Sequence, residues 1–265
     1  MGGPVDPPCS KNVETNALGQ ARLGDLATCT GYALKDVIVE GAATILVNAR
    51  YASRVKIKLW HGGAITTGSP DVMLGGPTIT TAEIIANAKE RAKQVLKCAQ
   101  NRLDRWNADD KAMAKKWFGR DSDAVRDTLK DRVANAKSTI DSADFRLGPE
   151  DPRFATDPTL NDPSTFAHVY PTDKDHKVYL DTRFWSAPTS GTDNQTGALL
   201  HEMSHFDDVG GTDDVTRPPG TLPSGTTTAY GQTNSLWLAN NAPGDALKNA
   251  DNFEYFMEEV QETCK

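Results

Sequence analysis

Gly197-Ala-Leu-Leu-His-Glu-Met-Ser-His-Phe206 is the stretch around which the rest of the chain is read. Ala198, Leu199 and Leu200 supply one buried helical face, and His201 and His205 follow four positions apart. Four residues of α-helix turn through about 400°, so both imidazoles lie on one side and can grip a single metal ion. Glu202, next to the first imidazole, can then serve as a general base toward water at that ion. Zinc suits this set, because imidazole and carboxylate ligands leave a fourth position open. The whole chain has only 5 histidines, so two spent at this spacing carry a chemical signal.

The third ligand is left open by the helix itself. Gly211 stands where a metzincin would place a His or Glu, which removes that arrangement. A glutamate on a later helix, as in thermolysin-like enzymes, has Glu254, Glu258 and Glu259 to draw on. The turn Gly211-Thr-Asp-Asp214 offers carboxylates directly after the metal helix.

Outward from this stretch, Lys177-Val-Tyr-Leu180 reads as a strand followed by Phe184-Trp185, and residues 245–259 read as a further helix. The proline-rich segment from Gly148 to Asp173 predicts a long surface loop. Apolar spacing predicts helices from Thr80 to about Trp106 and from Asp123 to Phe145. Up to about Gly76 the texture is different. Asp36 to Gly41, Ala43 to Asn48 and Asp71 to Gly76 read as short strands between turns. Gly41-Ala-Ala-Thr-Ile-Leu-Val-Asn48 is echoed by Gly68-Ser-Pro-Asp-Val-Met-Leu-Gly75, which implies a small all-β unit of duplicated hairpins.

Hydrophobic residues at 38% and charged residues at 25% fit a globular protein. A formal net charge of −7 argues against nucleic acid or an anionic membrane as partner. No apolar run approaches the roughly 20 residues of a membrane span. The start, Met1-Gly-Gly-Pro-Val-Asp-Pro-Pro8, lacks the basic and apolar regions of a signal peptide, so synthesis in the cytoplasm is expected. Cys9, Cys29, Cys98 and Cys264 are too scattered for a disulfide framework, although Cys98 and Cys264 can pair in an oxidising compartment.

His201-Glu202-x-x-His205, Gly211-Thr-x-Asp214 and Tyr230-Gly231 together resemble the aspzincins, the family of deuterolysin and the peptidyl-Lys metalloendopeptidases. Tyr179-Leu-Asp-Thr-Arg-Phe-Trp185 and Asn249-Ala-Asp-Asn-Phe-Glu-Tyr-Phe256 extend the resemblance, which runs from about Thr81 to Val260. It implies a zinc endopeptidase with Asp214 as third ligand and Tyr230 as the hydroxyl donor to the oxyanion. It also implies that Asp251 and Glu254 line a pocket for the lysine after the cut. Helical i, i+3 spacing puts those two carboxylates on one face, where an ammonium can meet both. One departure is plain. Aspzincins have only a few residues between the Asp and the Tyr, whereas Val215 to Ala229 intervene here, a Pro/Gly/Thr-rich insertion that either loops out or gates the cleft.

The first region resembles the PAAR-repeat domains that tip the spike of bacterial type VI secretion systems. The residues that carry this are Ala21-Arg-Leu-Gly-Asp-Leu-Ala-Thr-Cys29, Gly41 to Asn48, His61-Gly-Gly63 and Gly68 to Gly76. The resemblance implies a small β-cone with a second zinc at its tip, held by Cys29 and His61 with Cys9 as a further candidate. The expected architecture is therefore α+β and multidomain: an all-β PAAR-like cone over residues 1–77 and a mainly helical, zincin-like metallopeptidase over residues 78–265. Such a fusion implies a type VI effector toxin that acts on protein or peptide. It would ride on a spike (VgrG-like) protein, leave the bacterial cytoplasm without a signal peptide, and be restrained at home by a cognate immunity protein. Two rival classes remain: a zinc hydrolase of cell-wall peptide cross-links, and a mainly structural spike-tip adaptor.

Overall fold

The β-rich character of the first region comes from very short hairpins. The computed structural model describes residues 3–7, 9–29, 34–154, 157, 160 and 164–264. Strands β1 (Glu14–Thr15) and β2 (Leu18–Gly19) pair antiparallel, as do β3 (Leu26–Cys29) with β4 (Leu34–Val37). β5 (Glu40–Ala42) pairs with the more distant β8 (Thr78–Thr80), and β6 (Leu46–Val47) with β7 (Arg50–Tyr51). Two of these hairpins turn on the same dipeptide, Asn16-Ala17 and Asn48-Ala49, with positive φ at all four residues. That is the twist a two-residue hairpin needs, and Asn tolerates it better than most residues. Asp71 to Gly76, expected as a strand, is irregular and leaves Met73 93% exposed. Among the described residues no strand pairs with it.

Residues cluster into two compact units. The first takes in residues 1–87, 147–166 and 179–187; the second takes in residues 88–146, 167–178 and 188–265. In the first, Leu23, Ile38, Ala42 and Ala52 are buried, and the buried carboxylate of Asp25 bridges Arg22 and Arg50 at 3.1 and 2.7 Å.

The helices are α1 (Thr81–Arg105), α2 (Ala108–Phe118), α3 (Asp123–Thr139), α4 (Gln195–His205), α5 (Gln232–Asn241), α6 (Pro243–Ala246) and α7 (Ala250–Thr263). β9 (Asp144–Leu147), β10 (Ala167–Val169) and β11 (Lys177–Leu180) form a three-stranded sheet in the order β10-β11-β9. The helix expected from Asp123 to Phe145 ends at Thr139, because the chain turns at Ile140 and commits Phe145 to β9. α2 starts where the Asn107 side chain accepts from Asp110 N–H and Asp110 answers to the Asn107 N–H, a reciprocal capping box.

α4 packs along α7, and this pairing is the centre of the second unit. Leu199, Leu200 and Met203 of α4 and Phe253 and Met257 of α7 are fully buried, each burial contributing about 1.5–3 kcal/mol. Gly197 is required by this closeness, since a Cβ there would stand 2.5 Å from Glu258 Oε1. A Cys98–Cys264 disulfide ties α1 to the end of α7 across a sequence separation of 166. Among the described residues no helix is long and apolar enough to cross a membrane.

Candidate metal centre

Asn194 starts the metal helix by accepting from the N–H groups of Thr196 and Gly197. At the other end, His201 and His205 project from consecutive turns, with ring centroids 4.9 Å apart. The chain leaves α4 through Phe206 and makes a tight turn in which Val209, Gly210 and Gly211 N–H all donate to Phe206 O. Gly211 has φ +53, and a Cβ on Gly210 would fall 2.6 Å from Ser204 O, so this turn needs both glycines. Thr212 is then stitched back onto α4. Its N–H donates to Ser204 O, and its hydroxyl meets Ser204 Oγ, which itself donates to His201 O. Asp213 N–H donates to Lys248 O and Asp213 O accepts from Ala250 N–H, so Asp214 is held between α4 and the entry to α7.

The result is a convergence of three donor atoms. Nε2 of His201 and of His205 lie 3.4 and 3.7 Å from Asp214 Oδ1. The other ring nitrogens define the tautomers. His205 Nδ1 is 3.0 Å from Thr212 O, and a carbonyl only accepts, so Nδ1 carries the proton. His201 Nδ1 lies 2.9 Å from Glu254 Oε2 and 3.1 Å from Asp251 Oδ1, so it too is the donor. In the neutral rings both Nε2 lone pairs are thereby turned toward Asp214. Among the described residues nothing hydrogen-bonds to the buried Asp214 Oδ1. Two imidazole nitrogens and one carboxylate oxygen, pre-aimed and backed by hydrogen bonds, are the donor set that zinc takes.

Charge distributes accordingly. Burial pushes the Asp214 carboxyl up, but its His201 contact and both imidazoles outweigh this and hold it at about 2. Burial opposes an imidazolium at His201, yet Asp214, Asp251 and Glu254 together pull its pKa well above the ordinary value. His205 moves down, through burial and the neighbouring His201.

Glu202, next to His201 on α4, is buried at 7% exposure. Tyr230 is brought to the site despite the long insertion. Val215 and Ala229 pair through an Ala229 N–H to Val215 O bond, Thr216 bridges Thr228, and Leu222 packs into an apolar cluster with Leu238 and Ala246. Residues 215–229 are therefore an anchored hairpin-like excursion whose two ends meet. Tyr230, 53% exposed, donates from its hydroxyl to Asp214 Oδ2 at 2.7 Å. Next to it, Gly231 N–H donates to Asp251 Oδ2 at 2.6 Å. Asp251 and Glu254 thus face the back of His201, both buried, and burial together with Asp251 pushes Glu254 upward.

Glu258, one turn further along α7, was a candidate ligand in sequence but stands apart. Its Oε1 accepts from Asn194 N–H at 2.8 Å, and burial, then Glu254, raise its pKa from 4.5 to about 9. A folded pKa above the unfolded one means the stabilising proton is fully effective below about pH 4.5 and is lost as pH climbs toward about 9. Glu258→Gln keeps an acceptor without a titrating proton, so its melting temperature should fall less than wild type's between about pH 5 and pH 9. Parallel melting curves across that range would show that Glu258 is already ionised in the native protein.

In the first unit, Cys29, Asp36 and His61 bring ligand-type atoms within 4.8 Å of one another. Asp36 is the member that the sequence did not suggest; it accepts from His61 N–H and lies 3.6 Å from His61 Nδ1. Cys9 instead points its thiol at Asp6 O.

The sequence profile of the aspzincins, described as lysine-specific metallo-endopeptidase, matches residues 105–258. An extracellular protease of Aeromonas hydrophila is 48% identical over 95 residues, 36% of this chain and 23% of that protein. A peptidyl-Lys metalloendopeptidase of Grifola frondosa is 45% identical over 105 residues, 40% of this chain and 26% of that protein. The NAD(P)(+) glycohydrolase toxin Tse6 of Pseudomonas aeruginosa is 36% identical over 85 residues, 29% of this chain and 20% of that protein. The chain thus spans 20–26% of the length of these relatives. The solved zinc peptidase from Grifola frondosa superposes with a TM-score of 0.50 at 30% identity, covering 68% of this chain and 97% of that one. Fold and matches place the protein in the class of zinc metallopeptidases. The chain belongs to the aspzincin metalloendopeptidase family.

Proposed function

We propose that this chain is a zinc endopeptidase that cuts on the amino side of lysine and is delivered as a type VI secretion effector. The observation that carries the catalytic part is the aim of His201 Nε2, His205 Nε2 and Asp214 Oδ1 at one point, with both tautomers set from behind. Zinc, when bound by these three residues, supplies a Lewis acid that polarises the scissile carbonyl and acidifies water. Glu202 accepts the proton of the attacking water and later hands it to the leaving amine. Tyr230, exposed at the rim and hydrogen-bonded to the site through Asp214, turns its hydroxyl to the developing oxyanion. Asp251 and Glu254 share the single Nδ1–H of His201, which leaves buried negative charge for a substrate ammonium to satisfy.

The delivery part rests on the β-hairpin region, the Cys29–Asp36–His61 cluster and the stretch shared with a bacterial toxin. On this reading residues 1–77 are a PAAR-like tip whose second zinc is held by Cys29 and His61, with Asp36 beside them, and residues 78–265 are the peptidase. A spike protein beneath the tip and an immunity protein over the cleft complete the set of partners, and the toxin is made in the bacterial cytoplasm and exported on that spike.

Two measurements test the enzyme. Elemental analysis of a Cys29→Ser/His61→Ala variant, which removes the tip cluster, should give about one zinc per chain, as tight His/carboxylate sites do. Digestion of a denatured protein mixture should give new N-termini that begin with lysine, while purified sacculi release no peptide. Less than about half an equivalent of metal, or fragments beginning with apolar residues, sinks the reading. In the same assay Tyr230→Phe should slow turnover by on the order of 10²-fold, as loss of one oxyanion donor does, with metal content unchanged.

A further inference from the structure

Arg132 is a buried cation that the chemistry above does not use. It sits on α3, 4% exposed, and its Nη2 donates to Leu247 O at 3.0 Å, with Gly210 O 3.5 Å away. Among the described residues its Nε and Nη1 have no acceptor, and its guanidinium lies 5.1 Å over the Phe253 ring. Among the described residues no carboxylate pairs with it, so the usual reason for burying an arginine is missing. What it does touch is specific. Gly210 belongs to the turn that carries the chain from His205 to Asp214. Leu247 belongs to the segment that receives Asp213 and opens α7. Phe253 stands between Asp251 and Glu254 on α7. A Cβ on Gly210 would fall 2.9 Å from Arg132 Nε, so the turn is shaped to the guanidinium itself. One helical turn along α3, Asn135 Nδ2 donates to Val209 O at 3.2 Å, a second tie from the same helix face to the same turn.

We propose that Arg132 is a positioning residue for the metal centre, holding the Asp214 turn and the entry to α7 at a fixed separation so that the third ligand meets the two imidazoles. The inference rests on the reading of His201, His205 and Asp214 as the zinc ligands. The planar fork brings one terminal nitrogen, Nη2, to carbonyls of two segments at once, and its rigidity fixes that nitrogen in place, whereas a lysine brings a mobile ammonium to the same point. A neutral side chain of similar volume fills the space and serves neither. Loss of the fork therefore frees the Asp214 turn without removing a ligand, and zinc affinity falls while the ligand set stays whole.

The experiment uses the full chain as wild type, Arg132→Met, Arg132→Lys and Leu129→Ala, the last a fully buried α3 residue whose apolar side chain can make no hydrogen bond to the turn. Zinc affinity is read by competition with a chromogenic chelator, ligand geometry by the visible absorption of the cobalt(II)-substituted protein, and packing by melting of the metal-free protein. Arg132→Met should bind zinc about 10–100-fold more weakly, the range seen when support behind a metal ligand is removed, and its cobalt spectrum should change in shape. Arg132→Lys should fall between it and wild type. Leu129→Ala should melt lower yet keep the wild-type affinity and spectrum. If Arg132→Met and Leu129→Ala melt alike and both keep wild-type affinity, Arg132 is packing only and the proposal is overturned. Should Arg132→Met fail to fold, Arg132→Lys decides, and an unchanged affinity and spectrum there overturns it too. A wild-type chain that takes up neither zinc nor cobalt overturns the ligand reading itself and this proposal with it, an outcome distinct from a variant that merely matches wild type.

Discussion

Glu202→Gln should keep zinc and fold and cut a denatured protein about 10²–10⁴-fold more slowly than wild type, the range a general base contributes. The side chain is buried next to His201 on a helix whose neighbours Leu199, Leu200 and Met203 are fully buried, so it has little freedom to move away. Glutamine matches it in size and can still accept a hydrogen bond, but it cannot take a proton and give it back. The loss should therefore appear in turnover, with bound metal and melting temperature close to wild type. Initial rates on a denatured substrate, measured beside metal content and thermal melting, decide the matter. Near wild-type turnover would place the base elsewhere, and loss of zinc would make Glu202 a structural support for the site.

The metal helix was legible because everything that defines it is local: an apolar face, two histidines one turn apart and a glutamate between them. The turn to Asp214 was legible only through the family pattern, since Gly211-Thr-Asp-Asp214 by itself offers two carboxylates. The fold explains the pattern. Glycines permit the tight turn off Phe206, the threonine stitches it to Ser204, and pairing of Asp213 with Lys248 and Ala250 presents the next residue. Periodicity likewise placed α1 and β11 but ran α3 on through Phe145, where apolar spacing continues although the chain has turned.

Long-range contacts were out of reach. Nothing local indicates that Val215 and Ala229 meet, or that Leu222 is buried against α5 and α6, yet these contacts bring Tyr230 to Asp214. The buried side of α7 was also hidden. Asp251, Glu254, Glu258 and Glu259 form an acidic run that reads as a solvated face, and only the packing of α4 on α7 turns the first three inward. Asp36 and Arg132 escaped notice for the same reason. Each touches backbone groups far away in sequence.

Replacing both inward carboxylates, in Asp251→Asn/Glu254→Gln, should erase most of the preference for lysine after the cut. The structure also places each of these residues within reach of His201 Nδ1, at 3.1 and 2.9 Å. The amides keep a carbonyl oxygen for that N–H, so the His201 tautomer and the metal can persist while both charges go. Each charge-assisted contact to an ammonium is worth roughly 1.5–3 kcal/mol, so losing two should lower the lysine-to-alanine ratio by at least about 10²-fold. The ratio is the decisive quantity, since any slackening of His201 slows all substrates together and cancels from it. Arginine should be a poor substitute in wild type, its planar fork needing more room than a site shaped for a compact ammonium. New N-termini from wild type and the double variant, counted on one denatured protein mixture, provide the test. If the double variant still yields lysine at that position, the two carboxylates serve His201 alone and the specificity of this peptidase lies elsewhere in its cleft.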